Sequence, residues 1–147
     1  MRVGVFTPLL SQHPLRSVLE RLKTLNIDTV ELGTGNYPGD AHCKLSMLDN
    51  AKDTQIYSAN LPRTGVLDTK PYTDERNRGW IFRTCGYGHG AEWWKEFVST
   101  LHMYGYDYVL SIEHEDSLLS AEEGLNKAAT FLNEIVIREK PGAAWWV

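Results

Sequence analysis

The sequence predicts an α/β fold of parallel strands, built from about three to four β/α units. Three observations predict it. Short apolar segments of strand character alternate with amphipathic helices along the chain. The stretch Leu25-Asn26-Ile27-Asp28-Thr29-Val30-Glu31 is echoed by Tyr104-Gly105-Tyr106-Asp107-Tyr108-Val109-Leu110, where again a helix ends, an aspartate follows and an apolar strand begins. Finally, the chain has 147 residues, whereas a closed eight-stranded β/α barrel takes about 200 to 250. One domain with a partial set of units is therefore expected.

Each element has its own justification. Val3 to Phe6 is a short apolar run stopped by Thr7-Pro8, as suits a buried opening strand. Leu15, Val18, Leu19, Leu22 and Leu25 recur at spacings of three and four, which puts them on one helix face, with Arg16, Glu20 and Lys23 opposite. Thr29 to Leu32 reads as a second strand, and Gly33, Gly35, Pro38 and Gly39 mark a loop after it. No period emerges from Leu45 to Arg78, which points to a functional loop, mobile backbone or missing structure. Trp80-Ile81-Phe82 is a further strand candidate, followed by Gly86-Tyr87-Gly88-His89-Gly90. A second helix carries Trp94, Phe97, Val98 and Leu101 on one face and stops at Gly105. Tyr108 to Glu113 is a strand by its β-branched and aromatic content. The capping box Ser120-Ala121-Glu122-Glu123 opens a third helix with Leu125, Ala128, Ala129, Leu132 and Val136 on its stripe.

Composition narrows the function classes. A net charge of -4 and a pI near 5.7 leave no basic footprint for nucleic acid. The N-terminus has one basic residue, no long apolar run and Pro8, unlike a secretory signal, and no stretch approaches the roughly 18 apolar residues of a membrane span. The two cysteines, Cys43 and Cys85, match no zinc spacing and no disulfide scaffold. A soluble, cytoplasmic protein is expected.

In parallel β/α folds the reactive groups gather at the C-terminal ends of strands. Glu113-His114-Glu115-Asp116 directly follows an apolar strand, and Glu113 is expected to point inward there, as an acid/base or as a ligand to a divalent cation. The competing reading is a solvated loop whose acids favour the dipole of the next helix, a role that suits Asp116 in particular. Glu31 is either an inward acid or an edge residue. Arg83, Gly86, Gly88 and His89 form a segment whose backbone N–H groups could cradle a phosphate or sugar oxygens, or which is an ordinary turn into a helix. His42 and Cys43 are either a ligand pair or a loop histidine beside a buried thiol. Of Trp80, Trp93, Trp94, Trp145 and Trp146, most are expected in the core, with one available to floor a sugar site.

Several of these segments carry a resemblance. Val30-Glu31-Leu32-Gly33-Thr34-Gly35, Tyr37-Pro38-Gly39, Ala41-His42-Cys43, Ala51-Lys52-Asp53-Thr54 and Gly65 to Tyr72 belong to it. So do Phe82-Arg83-Thr84, Gly86-Tyr87-Gly88-His89, Leu110 to Asp116 and the ending from Pro141 to Trp146. Together they resemble the sugar phosphate isomerases/epimerases, the xylose-isomerase-like barrel family, which also includes the endonuclease IV type of repair enzyme.

The resemblance implies an incomplete (β/α) barrel over residues 1–147, in two blocks, 1–48 and 51–147, around an internal deletion of the central units. It implies a metal-dependent proton abstraction next to a carbonyl of a small sugar or sugar phosphate, with carboxylates as acid and base. Glu113 matches the family's final glutamate ligand. Asn50, in Asn50-Ala51-Lys52-Asp53, stands where the family's His-x-Lys-Asp pattern has its histidine. Glu113 and Glu31 are thus the catalytic candidates, and Glu113 and Asn50 the metal candidates. Lys52, Arg83, Gly86, Gly88 and His89 are the substrate-binding candidates. Weak binding of a divalent metal (Mn, Mg, Zn or Co) and little or no turnover by the isolated monomer are expected. Homo-oligomers would shield open sheet edges. The alternative is a catalytically inactive β/α fragment serving as a structural or assembly module.

Overall fold

A computed structural model describes residues 1–33, 41–42, 55–56, 59–60 and 72–143. The strands are β1 (Arg2–Phe6), β2 (Thr29–Glu31), β3 (Gln55–Ile56), β4 (Ala59–Asn60), β5 (Ile81–Phe82) and β6 (Val109–Ile112). The helices are α1 (Leu15–Thr24), α2 (Ala91–Met103) and α3 (Ala121–Ile135), with 3-10 turns at Thr7–Leu10 and Tyr72–Asp74. β2, β1, β6 and β3 lie side by side in that order, and every pairing between them is parallel. Among the described residues the sheet is open. The proposed deletion near 48–50 falls outside the described residues.

The three expected helices and the expected strands at Val3–Phe6, Thr29–Leu32 and Tyr108–Glu113 are all present, as α1 to α3 and as β1, β2 and β6. Trp80–Phe82 is corrected: Ile81–Phe82 joins no parallel sheet and pairs antiparallel with Ala59–Asn60. The apolar run is too short to bridge into the core, and its rings pack locally. Trp80 meets Phe82 edge to face at 5.0 Å, and the Arg78 guanidinium lies 3.8 Å over Trp80.

The echo noted in the sequence is a repeated helix stop. The Ile27 N–H donates to the Leu22 carbonyl and the Asn26 N–H to that of Lys23; the Tyr106 N–H donates to the Leu101 carbonyl and the Gly105 N–H to that of His102. This paired pattern needs a left-handed residue, supplied by Asn26 at φ 55° and Gly105 at φ 79°. The chain leaves both helices on the same trajectory and enters β2 and β6 alike.

The two faces of the sheet differ. Val3, Val5, Leu110 and Ile112 point into one apolar cluster with Val18 and Leu22 of α1, Trp94 and Val98 of α2, and Leu125, Ala128 and Leu132 of α3. Alternation sends Gly4, Phe6, Val109 and Ser111 to the other face. Phe6 and Val109 are buried but stand outside the helix-side cluster. A Cβ on Gly4 would come within 2.7 Å of Val109 Cγ1 and 3.5 Å of Thr29 Cγ2, so those three positions share the second face and Gly4 makes room for Val109.

Candidate functional site

The second face becomes polar towards the C-terminal ends of the strands. Gly4 is in register with Thr29 and Ser111, and Phe6 with Glu31. Val5 is in register with Ile112, so the next residue, Glu113, stands level with Phe6 across the strand pair. Glu31 and Glu113 thus flank Phe6 at one level, two strands and about 10 Å apart between backbones. Both are half-buried, and the Oε2 atom of each is buried.

Above this row lies a cavity of about 270 Å³, lined by Phe6, Pro8, Leu9, Ser11, Glu113, His114 and Glu115. That is near the lower end of the roughly 300–1,000 Å³ of small-molecule sites. The 3-10 turn Thr7–Leu10 forms one wall and the segment after β6 the other. Glu31 is not among the lining residues.

The four ionisable residues after β6 have four different surroundings. Glu113 stays on the polar face. The His114 ring lies against α3, where a Cβ on Gly124 would be 2.0 Å from Cε1, so only glycine leaves it room. Its Nδ1 is 3.5 Å from the Thr84 hydroxyl. Glu115 is exposed. Asp116 is 4% exposed, which corrects its reading as a solvated helix-dipole acid. It accepts from the Thr84 N–H at 2.8 Å, the Leu118 N–H at 2.9 Å and Arg83 Nε at 3.2 Å. Burial alone would raise its carboxyl. The Thr84 and Leu118 N–H groups, the Arg83 guanidinium and the Thr84 hydroxyl together outweigh that and hold it below the ordinary carboxylate value. Asp116 therefore fastens the segment after β5 to the segment after β6, and so fixes the cavity's far wall.

The substrate-binding candidates are distributed differently from the sequence reading. Arg83 is engaged with Asp116 and lies 5.5 Å over the Tyr87 ring. Gly86, at φ 91°, lets the loop pass the Phe131 ring, which a Cβ would approach to 3.1 Å. Gly88 is also left-handed, at φ 85°. His89 stacks on Trp93 at 4.1 Å, and Trp93, 43% exposed, stacks in turn on Phe97. Trp94 is buried in the core. His42 is buried and donates through Nε2 to the His13 carbonyl at 2.8 Å. Lys52, Asn50, Cys43, Trp145 and Trp146 lie outside the described residues. Cys85 is buried in the apolar cluster, where burial pushes its thiol up to about 12.

Glu31 and Glu113 offer the hard oxygen ligands that a divalent cation takes. Among the described residues no group of three or more His, Cys, Asp or Glu is placed to hold a metal ion. No described helix is long and apolar enough to cross a membrane.

Sequence reasoning missed Asp116 as an anchor and Gly124 as the seat of His114. The mid-helix glycine was the available signal, since glycine there costs about 1 kcal/mol against alanine unless space demands it.

No family model matches the chain, and no solved structure does. Among curated proteins, it is 36% identical over 87 residues to the uncharacterized protein YfiH of Bacillus subtilis (strain 168), over 59% of this chain and 28% of that protein. The chain thus spans little more than a quarter of the length of the curated relative it matches.

Proposed function

We propose that the chain is an incomplete (β/α) barrel of sugar phosphate isomerase/epimerase type, whose site is the polar sheet end holding Glu113 and Glu31. The observation that carries this reading is the level placement of the two carboxylates on one face, at the C-terminal strand ends, with a small cavity against Glu113. The strand order supports the barrel: β1 lies between β2 and β6, as a first strand lies between the second and last strands of a closed barrel. The relative is about 310 residues long, 87 being 28% of it, which is ample for a full barrel.

In the proposed chemistry, one carboxylate takes the proton from a sugar carbon next to a carbonyl, leaving an enediolate. For epimerisation the second group, as a carboxylic acid, gives a proton to the same carbon on its other face; for isomerisation the first returns its proton to the neighbouring carbon while the hydroxyl proton passes to the former carbonyl oxygen. Glu113, beside the cavity, is the base, and Glu31 the second acid/base group. Glu113 and Asn50 alone would hold a divalent ion (Mn, Mg, Zn or Co) weakly, and no step is routed through one. The ligand is a small sugar or sugar phosphate, and the proposed compartment is the cytoplasm.

A second reading, a catalytically silent assembly module, is favoured by the sheet being open among the described residues, where a second copy would cover β2 and β3. Incubation with ketose and aldose phosphates in deuterium oxide separates the two. Deuterium entering next to the carbonyl, and lost in Glu113→Gln, supports the enzyme; no incorporation with any substrate leaves the module.

A further inference from the structure

The geometry points to a closed barrel made of two copies of this chain, each supplying four strands, with one mouth shared between them. This rests on the barrel reading proposed above. β2, β1, β6 and β3 are all parallel in one sheet, and a β/α barrel closes at eight parallel strands. Among the described residues β2 pairs only with β1, and β3 only with β6. A twofold axis running along the barrel, on the polar side of the sheet, sets β2 of one copy beside β3 of the other, and does so twice. That rotation keeps strand direction, so both new pairings are parallel. Contacts between unlike surfaces make open arrays unless their rotation closes, and four strands per copy close the ring at two.

The helix layer ends where the sheet does. α3 is the middle helix: its Asn126 accepts from Arg21 of α1 at 2.7 Å, and its Phe131 meets Trp94 of α2 edge to face at 6.2 Å. α1 connects β1 to β2, and α2 follows β3 and precedes β6, so each outer helix covers one end of the sheet. No large apolar side chain of α3 is exposed, whereas α1 exposes Leu19 and α2 exposes Trp93 and Met103. β2 is half-buried along its length, while β6 is buried throughout. These are the surfaces that further β/α units would cover. A second copy supplies such units in the number, direction and order that closure needs.

Pairing also completes the site. Glu113, at the end of β6, has Glu31 of its own chain two strands away through β1. In the pair it gains the partner's Glu31 two strands away through β3. The shared mouth then holds four carboxylates where one chain holds two, and each Glu113 has an acid/base group on either side.

The test uses wild type alone. Sedimentation velocity is expected to give twice the 16.7 kDa of one chain and no larger species. Hydrogen exchange of the pair, read by mass spectrometry, is expected to protect the β2 amides as strongly as those of β1 and β6, because their outward N–H groups gain partners. A dimer whose β2 amides exchange about tenfold faster than those of β1 would be joined elsewhere and would overturn the barrel. Deuterium incorporation per chain into D-xylulose or D-ribulose 5-phosphate should fall about tenfold or more on dilution to the monomer. Incorporation undiminished in the monomer would overturn the shared mouth and leave the proton-transfer reading standing. A protected dimer inert towards both sugars would keep the paired barrel and overturn that reading instead.

Discussion

The two faces of the parallel sheet are built on opposite rules. On the helix side, Val3, Val5, Leu110 and Ile112 meet α1, α2 and α3 in one apolar cluster. On the other side the same strands present Gly4, Ser111, Glu31 and Glu113, with two carboxylate oxygens and a hydroxyl below the surface. Burying polar atoms in a sheet face costs stability. Glu31, Ser111 and Glu113 place that cost on the second face, towards the strand ends, where the proposed site lies. The comparison teaches that the strands serve two purposes residue by residue, at a period of two.

Breaking the apolar side should have the largest effect. Leu110→Ala removes a fully buried β6 side chain from the helix-side cluster and is expected to cost about 3 kcal/mol, read by urea unfolding. Asp116→Asn should cost about 2–3 kcal/mol, because it leaves Arg83 and two N–H groups facing a neutral amide. The pH dependence has a definite sign. Asp116 is held below its unfolded value of 3.8, so its stabilisation is complete above about pH 4 and is lost as pH falls through the lower folded value. Acid unfolding of wild type should include this loss, and that of Asp116→Asn should lack it.

Gly124→Ala tests the boundary between the two faces. In an exposed helix this change stabilises, but here the new Cβ displaces the His114 ring, and a cost of about 1–2 kcal/mol is expected. In a His114→Ala background the sign should reverse, to a gain of up to about 1 kcal/mol. A double-mutant cycle measures the difference; additivity would show that the ring lies elsewhere. The smallest effect concerns Cys85. With its thiol pushed up to about 12 and buried, it should react with a thiol reagent at neutral pH only through unfolding. In a Cys43→Ser background, labelling at a rate independent of urea would contradict that.

Much of the fold was legible in the sequence. The leucines of α1 and the stripe of α3 follow helical spacing, and the repeated helix stop at Asn26 and Gly105 is visible as an echo. Glu113 was legible as the first ionisable residue after an apolar strand. What was not legible is long-range. Asp116 reaches back to Thr84 and Arg83, which no local pattern encodes, so it read as an ordinary acid before a helix. Ile81–Phe82 failed for a related reason: a short apolar run does not say which strand it pairs with. The glycines at 86 and 88 looked like an anion cradle, while Gly86 answers a contact with Phe131, a residue 45 positions away.

The central claim is that the polar sheet end is a site for proton transfer on a sugar, and that Glu113 is its base. The most direct measurement is deuterium incorporation next to the carbonyl of a sugar phosphate, followed by NMR, for wild type and Glu113→Gln alongside their Tm values. The account predicts incorporation by wild type and its loss in Glu113→Gln, with the Tm held within a few degrees. Incorporation undiminished by Glu113→Gln, or none by a folded wild type, would contradict it.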